Sequence, residues 1–560
     1  MSRSLAVTVA EREIDQTTSS SEVISADEAV AFAALDAGIA YSSAYPGTPT
    51  TDIQETILKH ADLNQVKALW SINEKVAYES ALAVAIGGQR ALVSMKQVGL
   101  NVAADAFMNS CPAGVNGGLV LVVGDEPACH SSQNKQDTRH YRNLSGAVLL
   151  EPSDSQEAYD MTREAFAVSE RFSLPVIIRL TTRTAYGCTP VLRRKARNSR
   201  PAFSWPKQPE RFFIVPQVSR RLFKRLLERQ VELGDWLVKS SYTVRRLDGL
   251  QARYRRGVLC TGIGYPLAKE NVPHNWSLLK VAGEPFPDDL LSEFVRQHDE
   301  VLVLEEGDPL LEARVRHVSK GTKVRGRLSD DLTQFGELQV REICAAIEGT
   351  PRPLPPPNTD LPTRLPEICK PCGYHKVFAA LKEIPDIATP SDIGCNSLGG
   401  MPPYSVMDGV WAMGSSIGVA CGLAAMGHSR VLAIIGDSTF YHAGLPPLIE
   451  AVQEGYRLTV LLLDNGTAAM TGGQPVPHHF DSAPAPLARK IDLALLIKAI
   501  GVRSCTTFDP HVLGVMGIRE LVSSSFEVPG VKVLLYRSQC GLFTPGYHTS
   551  EPFSLKQKGG

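Results

Sequence analysis

Short apolar runs alternate with amphipathic stretches between residues 25 and 190. The apolar runs are typical of buried strands and read IAYSSAY, VKALWSI, RALVSM, GLVLVVGD and LPVIIRL. The amphipathic stretches predict helices over 26–37, 51–60, 74–87 and 155–169. Ser25 and Glu28 fit a capping box at the start of the first helix. Continuous apolar strands between such helices predict a parallel sheet that is covered on both faces.

The same alternation returns in two further blocks, at 257–350 and at 367–545. The segment PRPLPPPNTDLPTRLP at 351–366 separates them, and its seven prolines in sixteen residues predict a semi-rigid linker. Residues 1–24 carry the polar run TTSSSE and are expected to form a flexible tail, as are residues 546–560. We therefore predict a multidomain α/β protein with doubly wound parallel sheets.

The composition fits a large soluble protein. The chain has 560 residues, of which 43% are hydrophobic and 21% charged, and it contains no apolar run near the roughly 18 residues of a membrane span. The first residues are too polar for a secretory signal, so we expect a cytoplasmic location and no membrane partner. Eleven cysteines without a signal sequence favour thiols or metal ligands over a disulfide framework.

Positive charge is concentrated in residues 191–256, which we predict to be a basic helical connector. Between 193 and 256 there are 18 Lys and Arg against 5 Asp and Glu, a local charge of +13, so the rest of the chain sums to −14. Such a segment is either a solvated connector or a docking surface for an acidic partner or a phosphorylated cofactor. Nucleic acid is not expected, because the aromatic residues show no stacking pattern.

Two strand ends in the last block carry oxygen ligands. VLAIIGD predicts a strand that ends at Asp437, LPPLIEAVQEGY a helix, and LTVLLLDN a strand that ends at Asn465. If these parallel strands are neighbours, they lie roughly 5 Å apart, so the two side chains converge. With a loop carbonyl, which Thr467 can supply, they form an oxygen set that suits Mg²⁺ and phosphate. An ordinary doubly wound turn is the alternative.

The motifs of the chain, taken together, resemble one enzyme family. The order GDS, DN and TGGQ over residues 436–474 is similar to the thiamin-diphosphate motif, with Ser438 in place of the usual second glycine. The segments AYPGTPTTDI, SINEKVAYESALAVAIGG and MKQVGLNVAADAF resemble the pyrimidine-binding domain of 2-oxoacid:ferredoxin oxidoreductases. HSSQNKQDTRHY, EPSDSQEAYDMTREAF and VLEEGDP extend the likeness, over most of 25–545, to the large subunit of the indolepyruvate ferredoxin oxidoreductases.

This resemblance implies an assignment for each block. Residues 25–190 would form the pyrimidine-binding domain, 257–350 a transketolase-C-like domain, and 367–545 the diphosphate- and magnesium-binding domain. The implied cofactors are thiamin diphosphate and Mg²⁺. The implied magnesium ligands are Asp437, Asn465 and the Thr467 carbonyl, and the other implied cofactor contacts are Gly436, Ser438, Met470 and Gly399.

The resemblance also implies catalytic roles, each with an alternative. Glu74 matches the glutamate that activates the coenzyme, although it also fits a capping box with Ser71. Thr48 matches a threonine that approaches the substrate. Arg139 is near the position of a carboxylate-binding arginine, or forms a surface ion pair. His442 could exchange a proton with the reacting carbonyl, or simply stand at a helix start.

Four cysteines match the ligands of an iron–sulfur cluster in this family: Cys369, Cys372, Cys395 and Cys540. By itself the CxxC of Cys369 and Cys372 is equally a zinc half-site or a redox pair. In the context of the family, the four imply a [4Fe-4S] cluster. The remaining cysteines are expected to be structural.

The implied reaction is the oxidative decarboxylation of aryl 2-oxoacids, such as indolepyruvate or phenylpyruvate. Met470 replaces a polar residue of pyruvate-acting relatives, which favours the aryl substrate. Coenzyme A would take the acyl group, and electrons would pass to ferredoxin or another acceptor. The archaeal-type large subunit has a ferredoxin-like module beyond this point, which we do not expect here.

The resemblance further implies a smaller gamma-like subunit and a dimer of heterodimers. Two alternatives to the oxidative reaction remain at this stage. The chain could be a non-oxidative thiamin-dependent decarboxylase, which needs no cluster, or an inactive scaffold subunit that keeps the fold.

Overall fold

The computed structural model describes residues 21–197, 201–350, 366–479 and 489–543. Most of the predicted N-terminal tail, nearly all of the proline-rich linker and the predicted C-terminal tail lie outside the described residues. Within these ranges the strands form four sheets of two, five, six and seven strands. No helix of the described residues is both long and apolar enough to cross a bilayer.

The first part of the chain alternates strands and helices as its apolar pattern predicts. Its elements are β1 (Ser21–Ser25), α1 (Ala26–Asp36), β2 (Tyr41–Ala44), α2 (Thr51–His60), β3 (Lys67–Trp70), α3 (Glu74–Ile86), β4 (Ala91–Lys96), α4 (Gln97–Ala113), β5 (Leu119–Asp125), α5 (Thr138–Ser145), β6 (Val148–Leu150), α6 (Ser155–Phe172), β7 (Val176–Thr181), α7 (Thr182–Tyr186) and β8 (Cys188–Leu192).

These elements build a buried parallel sheet. The order β6-β7-β5-β4-β2-β3 is parallel throughout. Alternate residues of β5 enter the hydrophobic clusters on opposite faces: Val120 and Val122 join one cluster, Leu119 and Leu121 the other. The predicted sheet covered on both faces is confirmed, and its carboxyl edge carries the loops that later form the site.

The N-terminal boundary differs from the sequence-based expectation. The tail was expected to reach residue 24, but Ser21–Ser25 forms β1, which pairs antiparallel with β8. The polar sequence SEVIS gives little strand signal of its own, and a partner more than 160 residues away supplies the backbone hydrogen bonds. The capping box that follows is present as predicted: Glu28 N donates to Ser25 Oγ, and Ser25 N to Glu28 Oε2.

The middle part of the chain forms a five-stranded sheet of order β14-β13-β10-β11-β9. Its elements are α8 (Pro209–Phe212), α9 (Pro216–Lys239), β9 (Val244–Arg246), a 3₁₀ turn (Asp248–Gln251), β10 (Arg256–Cys260), α10 (Gly264–Asn271), β11 (Ser277–Lys280), β12 (Gly283–Glu284), α11 (Asp288–Arg296), β13 (Glu300–Leu304), α12 (Leu310–Val318), β14 (Lys323–Arg325) and α13 (Val340–Glu348).

Part of the predicted basic connector packs against, or pairs with, the neighbouring parts of the chain. Helix α9 buries one face through leucines spaced for a helix, among them Leu222, Leu226, Leu233 and Leu237. The short strand β9 pairs antiparallel with β11 and so belongs to the five-stranded sheet. Strand β12 instead pairs with β6, which adds a seventh strand to the first sheet. The first two parts of the chain therefore share a sheet.

The last part forms a six-stranded sheet of order β16-β15-β17-β18-β20-β19, all parallel. Its elements are α14 (Tyr374–Lys382), β15 (Pro390–Ser391), a 3₁₀ segment (Cys395–Gly400), β16 (Gly409–Val410), α15 (Ser415–Ala425), β17 (Leu432–Gly436), α16 (Asp437–Thr439), a π-helical turn (Phe440–Gly444), α17 (Leu445–Gln453), β18 (Leu458–Asp464), a 3₁₀ turn (Ala469–Thr471), α18 (Leu493–Ile500), β19 (Ser504–Phe508), α19 (Pro510–Ser525) and β20 (Val531–Arg537). The predicted multidomain α/β class with parallel sheets is confirmed.

Candidate active site

A cleft of about 390 Å³ lies where the loops of the seven-stranded sheet meet those of the six-stranded sheet. Both walls carry residues singled out in the sequence. Thr48 and Glu74 line it from the first part of the chain, and Gly436, Asp437, Ser438, His442, Asn465, Thr467 and Met470 from the last part. One chain thus brings most of the predicted catalytic and cofactor residues together.

Two neighbouring strands position Asp437 and Asn465 at one end of the cleft. Strands β17 and β18 pair in parallel with Gly436 opposite Leu463, so Asp437 and Asn465 follow adjacent strand ends. The peptide N–H of Gly466 donates to Asp437 Oδ2 at 3.0 Å, and that of Ser438 to Oδ1 at 2.8 Å. The predicted convergence of the two strand ends is therefore present.

The buried carboxylate of Asp437 is costly to ionise. Burial raises its pKa to about 7, and the negative charge of Asp464 acts in the same direction. The neighbouring His478 and the two backbone donors oppose this shift. A bound cation would stabilise the ionised form of such a carboxylate. Its electrostatics thus fit a metal ligand.

The other two predicted magnesium ligands each keep an oxygen lone pair available. Asn465 Oδ1 accepts one hydrogen bond, from Thr467 N at 3.1 Å. The Thr467 carbonyl accepts one, from Ala469 N at 2.9 Å. Each oxygen has two lone pairs, so carboxylate, amide and carbonyl oxygens remain for a hard cation. The chemistry of these donors fits Mg²⁺ with a diphosphate.

A second donor set shares Asp437 and was not predicted from the sequence. His478 Nε2 lies 2.8 Å from Asp464 Oδ1 and 3.6 Å from Asp437 Oδ2. Ligand atoms of these three residues lie within 4.8 Å of one another. Arg537 also pairs with Asp464, its Nε lying 3.2 Å from Oδ2. His478 and Arg537 thus balance the second carboxylate beside Asp437.

Glu74 faces the last part of the chain from the first turn of α3. Its Oε2 lies 2.7 Å from Nε2 of His442, and both side chains are buried. The alternative capping role with Ser71 is wrong, because the helix is capped by Asn73, whose Oδ1 accepts from Val76 N at 2.9 Å. The Glu74 carboxylate is therefore left for the cleft.

The contact between the two walls is built on polar side chains. Asn73 Nδ2 donates to the His442 carbonyl at 3.1 Å, and the hydroxyls of Tyr45 and Ser438 share a hydrogen bond of 2.8 Å. The rings of Tyr45 and His442 meet edge to face with centroids 4.7 Å apart. His442 lies on the π-helical turn, a feature often found at functional sites. These contacts fix the imidazole against Glu74.

Arg139 does not reach the cleft, so the prediction that it binds a substrate carboxylate does not fit the structure. Its guanidinium is fully buried and pairs with Asp137 and Glu305, with NH1 2.6 Å from Glu305 Oε2. It also donates to the carbonyls of Glu306 and Asp308. Its donors are thus used to attach the VLEEGDP loop to the first sheet. The alternative of a surface ion pair is also wrong.

Gly399 is a second residue that the structure places elsewhere. A Cβ there would lie 2.8 Å from Cε of Met407 and 2.9 Å from the Phe378 ring. The glycine therefore permits close packing inside the last domain, and Gly399 does not line the cleft. Met470 does line it but is 52% exposed, so it stands at the rim.

The four predicted cluster cysteines lie within electrostatic range of one another. Burial raises the pKa of Cys395 to about 12, and the charges of Cys372, Cys540 and Cys369 add to this shift. Burial likewise raises the pKa of Cys372 to about 11, with Cys540 and Cys369 contributing. Cys395 also lines the cleft. The thiolate forms of these neighbouring groups would repel one another, and a cationic metal group would stabilise them.

Three residues at the site escaped the sequence-based prediction: Tyr45, Lys96 and His478. Tyr45 stands in the segment AYPGTP and Lys96 directly follows the apolar run RALVSM, so position at a strand end was the available signal. His478 lies in a loop whose position depends on tertiary contacts, and nothing in its sequence context marks it.

Two family models match the parts of the chain that form the cleft. Residues 32–185 match the thiamin-diphosphate-binding part of pyruvate flavodoxin/ferredoxin oxidoreductase. Residues 392–530 match the C-terminal TPP-binding domain of thiamine pyrophosphate enzymes. Apart from Tyr374, the residues that line the cleft thus fall within two matched thiamin-diphosphate-binding regions.

Curated relatives match almost the whole chain. The indolepyruvate oxidoreductase subunit IorA of Methanothermobacter thermautotrophicus is 36% identical over 540 residues, which cover 92% of this chain and 86% of the relative. The subunit IorA of Thermococcus kodakarensis is 35% identical over 561 residues, covering 93% and 86%. Among solved structures, a 2-oxoglutarate:ferredoxin oxidoreductase from Magnetococcus marinus has a TM-score of 0.48 at 13% identity, over 59% of this chain and 65% of that one. By its relatives and its two matched regions, the chain belongs to the thiamin-diphosphate-dependent 2-oxoacid:ferredoxin oxidoreductases, in the family of the indolepyruvate oxidoreductase subunit IorA.

Proposed function

We propose that this chain carries out the oxidative decarboxylation of aryl 2-oxoacids, such as indolepyruvate and phenylpyruvate, to acyl-coenzyme A. The observation that carries the proposal is the contact across the cleft, where Glu74 meets His442 close to the Asp437 end. The experiment that tests it is an anaerobic assay with coenzyme A and a one-electron dye, run on the complex with the smaller subunit.

Each wall of the cleft would bind one end of the coenzyme. Asp437, Asn465 and the Thr467 carbonyl would hold Mg²⁺ and through it the diphosphate, with Gly436 and Ser438 alongside. Glu74 would meet the aminopyrimidine from the opposite wall and hold a proton there. When bound, thiamin diphosphate supplies the carbon nucleophile and the electron sink of the reaction.

His442 and Thr48 would act on the substrate. Nε2 of His442 is engaged with Glu74, and its Nδ1 is buried without a hydrogen-bond partner. An imidazole in this position can relay a proton between Glu74 and the reacting carbonyl. Thr48 lines the same cleft and would contact the substrate from the first domain.

Electrons would leave through a [4Fe-4S] cluster held by Cys369, Cys372, Cys395 and Cys540. Cys395 lines the cleft, which favours electron transfer from the reacting centre to the cluster. Ferredoxin or another acceptor would then take the electrons. A smaller gamma-like subunit is the expected partner, in a dimer of heterodimers, and relatives that are named as subunits of an oxidoreductase support an assembly of more than one kind of chain.

The cluster assignment predicts which cysteines hold iron. Replacing any one of Cys369, Cys372, Cys395 or Cys540 by alanine is expected to lower the iron content, because too few thiolates remain to ligate four irons. Cys421→Ala is the matched control, since this cysteine is buried in the hydrophobic core of the same domain. Iron and acid-labile sulfide are measured after anaerobic purification. Equal iron in all five variants would refute the cluster.

The aryl assignment predicts a preference for large side chains. The cleft has an apolar lining that includes Val98, Val102, Trp411, Met413 and Met470. An indole or phenyl ring buries roughly 100 Å² more than a methyl group, worth about 2 to 3 kcal/mol. Indolepyruvate or phenylpyruvate should therefore exceed pyruvate by about 30- to 150-fold in kcat/KM.

The measurement compares indolepyruvate, phenylpyruvate, pyruvate and 2-oxoglutarate in the anaerobic assay. Met470→Asn, which restores a polar residue, should reduce the aryl preference. Pyruvate or 2-oxoglutarate turning over fastest would show that the substrate class is wrong. The visible spectrum separates the alternatives: a brown protein with bound thiamin diphosphate fits the oxidative enzyme, a colourless one with the coenzyme a decarboxylase, and one with neither a scaffold.

A further inference from the structure

A 2-oxoacid brings a carboxylate into the cleft, and a partly buried carboxylate needs a charged or hydrogen-bonding partner. Arg139 is committed elsewhere, as shown by its buried ion pairs. Among the described residues that line the cleft, Lys96 is the one lysine, and none is an arginine. His442 also lines it but is already engaged with Glu74. Lys96 is therefore the side chain whose charge is suited to the substrate.

Two elements hold Lys96 at the cleft. It is the last residue of β4 and the N-cap of α4. A Cβ on Gly47 would lie 3.0 Å from Cβ of Lys96, so the loop that carries Thr48 packs directly against it. Three residues further on, a Cβ on Gly99 would lie 2.5 Å from Oε1 of Glu74. The end of β4 thus stands between the predicted substrate-binding threonine and the predicted activating glutamate.

Two residues supply three acceptor atoms for the ammonium group. Nζ lies 3.0 Å from Oε2 of Glu126 and donates to the Ser131 carbonyl at 3.0 Å and the Ser131 hydroxyl at 2.7 Å. Burial lowers the pKa of Lys96, and the Glu126 carboxylate opposes this shift. Hydroxyls of Ser131 and Ser132 donate to Glu126 in turn. Glu126 therefore helps keep Lys96 protonated.

We propose that Lys96 binds the carboxylate of the 2-oxoacid, with the Thr48 loop beside it. The inference rests on the proposed function, since it names the residue that receives this substrate. Two of the three donated contacts of Nζ go to Ser131, and a substrate oxygen can replace them while Glu126 stays in place. Glu126 keeps its hydroxyl donors during the exchange, so no buried charge is left alone.

The test uses two substrates that differ in the carboxylate. Phenylpyruvate carries it, whereas phenylacetaldehyde lacks it and would give the same acyl product on oxidation. The variant is the double change Lys96→Met with Glu126→Gln, which avoids leaving Glu126 as an unpaired charge. Loss of one charge-assisted contact should raise KM for phenylpyruvate by about 10- to 100-fold. The loss on the aldehyde should be much smaller than the loss on phenylpyruvate, and Lys96→Arg should restore most of the phenylpyruvate activity.

The chain offers a matched control in Lys280 and Glu157, a second lysine–glutamate pair that does not line the cleft. Lys280→Met with Glu157→Gln should leave the ratio of the activities on phenylpyruvate and phenylacetaldehyde unchanged. Equal loss on both substrates in the Lys96 variant, or an unchanged KM for phenylpyruvate, would overturn the proposal.

Calorimetric titration with phenylpyruvate separates this proposal from the proposed function. The coenzyme-free protein is titrated, with no thiamin diphosphate, coenzyme A or electron acceptor present, so binding is measured without any reaction of the substrate. The Lys96 double variant should bind phenylpyruvate about 10- to 100-fold more weakly than the unmodified protein. If the unmodified complex oxidises no substrate yet binding falls as expected, the proposed function fails and the role of Lys96 stands. Equal binding by both proteins contradicts that role.

Discussion

Replacing Glu74 by glutamine is expected to lower kcat by about 10²- to 10⁴-fold, the usual contribution of a positioned general acid or base. Thiamin diphosphate should stay bound, because Glu74 lies on the wall opposite Asp437. The amide is nearly isosteric and can still accept a hydrogen bond from His442, but it cannot hold and release a proton. The helix is unaffected, since Asn73 provides its cap. Turnover and bound coenzyme are measured on the same preparation.

The matched control for this change is Glu79→Gln. Glu79 lies on the same helix α3, where its exposed side chain pairs with Lys75. That variant should keep the activity of the unmodified protein, because an exposed pair contributes little to stability. Near-normal turnover in Glu74→Gln would remove Glu74 from the catalytic mechanism. Loss of bound coenzyme in the same variant would assign it to binding instead.

The strand ends could be predicted because they depend on one local rule. Two apolar runs joined by a helix form neighbouring parallel strands, and their carboxyl ends meet at one edge. Asp437 and Asn465 follow such runs directly, so their proximity needed no knowledge of the rest of the fold. Their roles as ligands nevertheless remain predictions, which the cofactor experiments test.

Arg139 shows where the same reasoning fails. Its predicted role depended on which side of α5 the guanidinium faces, and that is decided by Glu305, 166 residues later in the chain. The loop after β13 supplies Glu305 and two carbonyls, which accept from NH1 and NH2, while Asp137 accepts from Nε. A buried cation with several fixed partners is stable only when all of them are present. The position of the Arg139 guanidinium therefore depends on tertiary contacts.

At the start of α3 the sequence allows two N-cap residues, and the structure distinguishes between them. Ser71 and Glu74 have the spacing of a capping box, yet Asn73 is also a strong N-cap residue, and the structure selects it. With Asn73 as the cap, Glu74 is the first helical residue and cannot fold back on Ser71. The carboxylate is free to meet His442, which comes from a different sheet and was not predicted as its partner.

Asp437→Ala is expected to empty the coenzyme site. Asp437 is the one charged group among the three proposed magnesium ligands, and the diphosphate needs its counter-cation in a partly buried cleft. Removing the charged partner of a buried ionic group costs about 3 to 5 kcal/mol. The affinity for thiamin diphosphate with Mg²⁺ should therefore fall by about 100- to 1,000-fold or more. Calorimetric titration of the coenzyme-free protein measures this directly, without any assay of turnover.

The control for this change is Asp509→Ala. Asp509 also follows a strand of the six-stranded sheet and caps a helix through His511 N, but it does not line the cleft. It should lose about 1 kcal/mol of stability and keep full coenzyme affinity. Asp437→Asn removes the charge and keeps the shape, and its single amide oxygen can still accept from Ser438 N–H, at the cost of the hydrogen bond from Gly466 N–H. Because burial makes the ionised Asp437 costly until a cation arrives, Asp437→Asn should leave the fold intact and weaken only the metal-dependent binding. Stoichiometric coenzyme in either Asp437 variant would mean that the cation is held elsewhere, with His478 and Asp464 the first residues to replace.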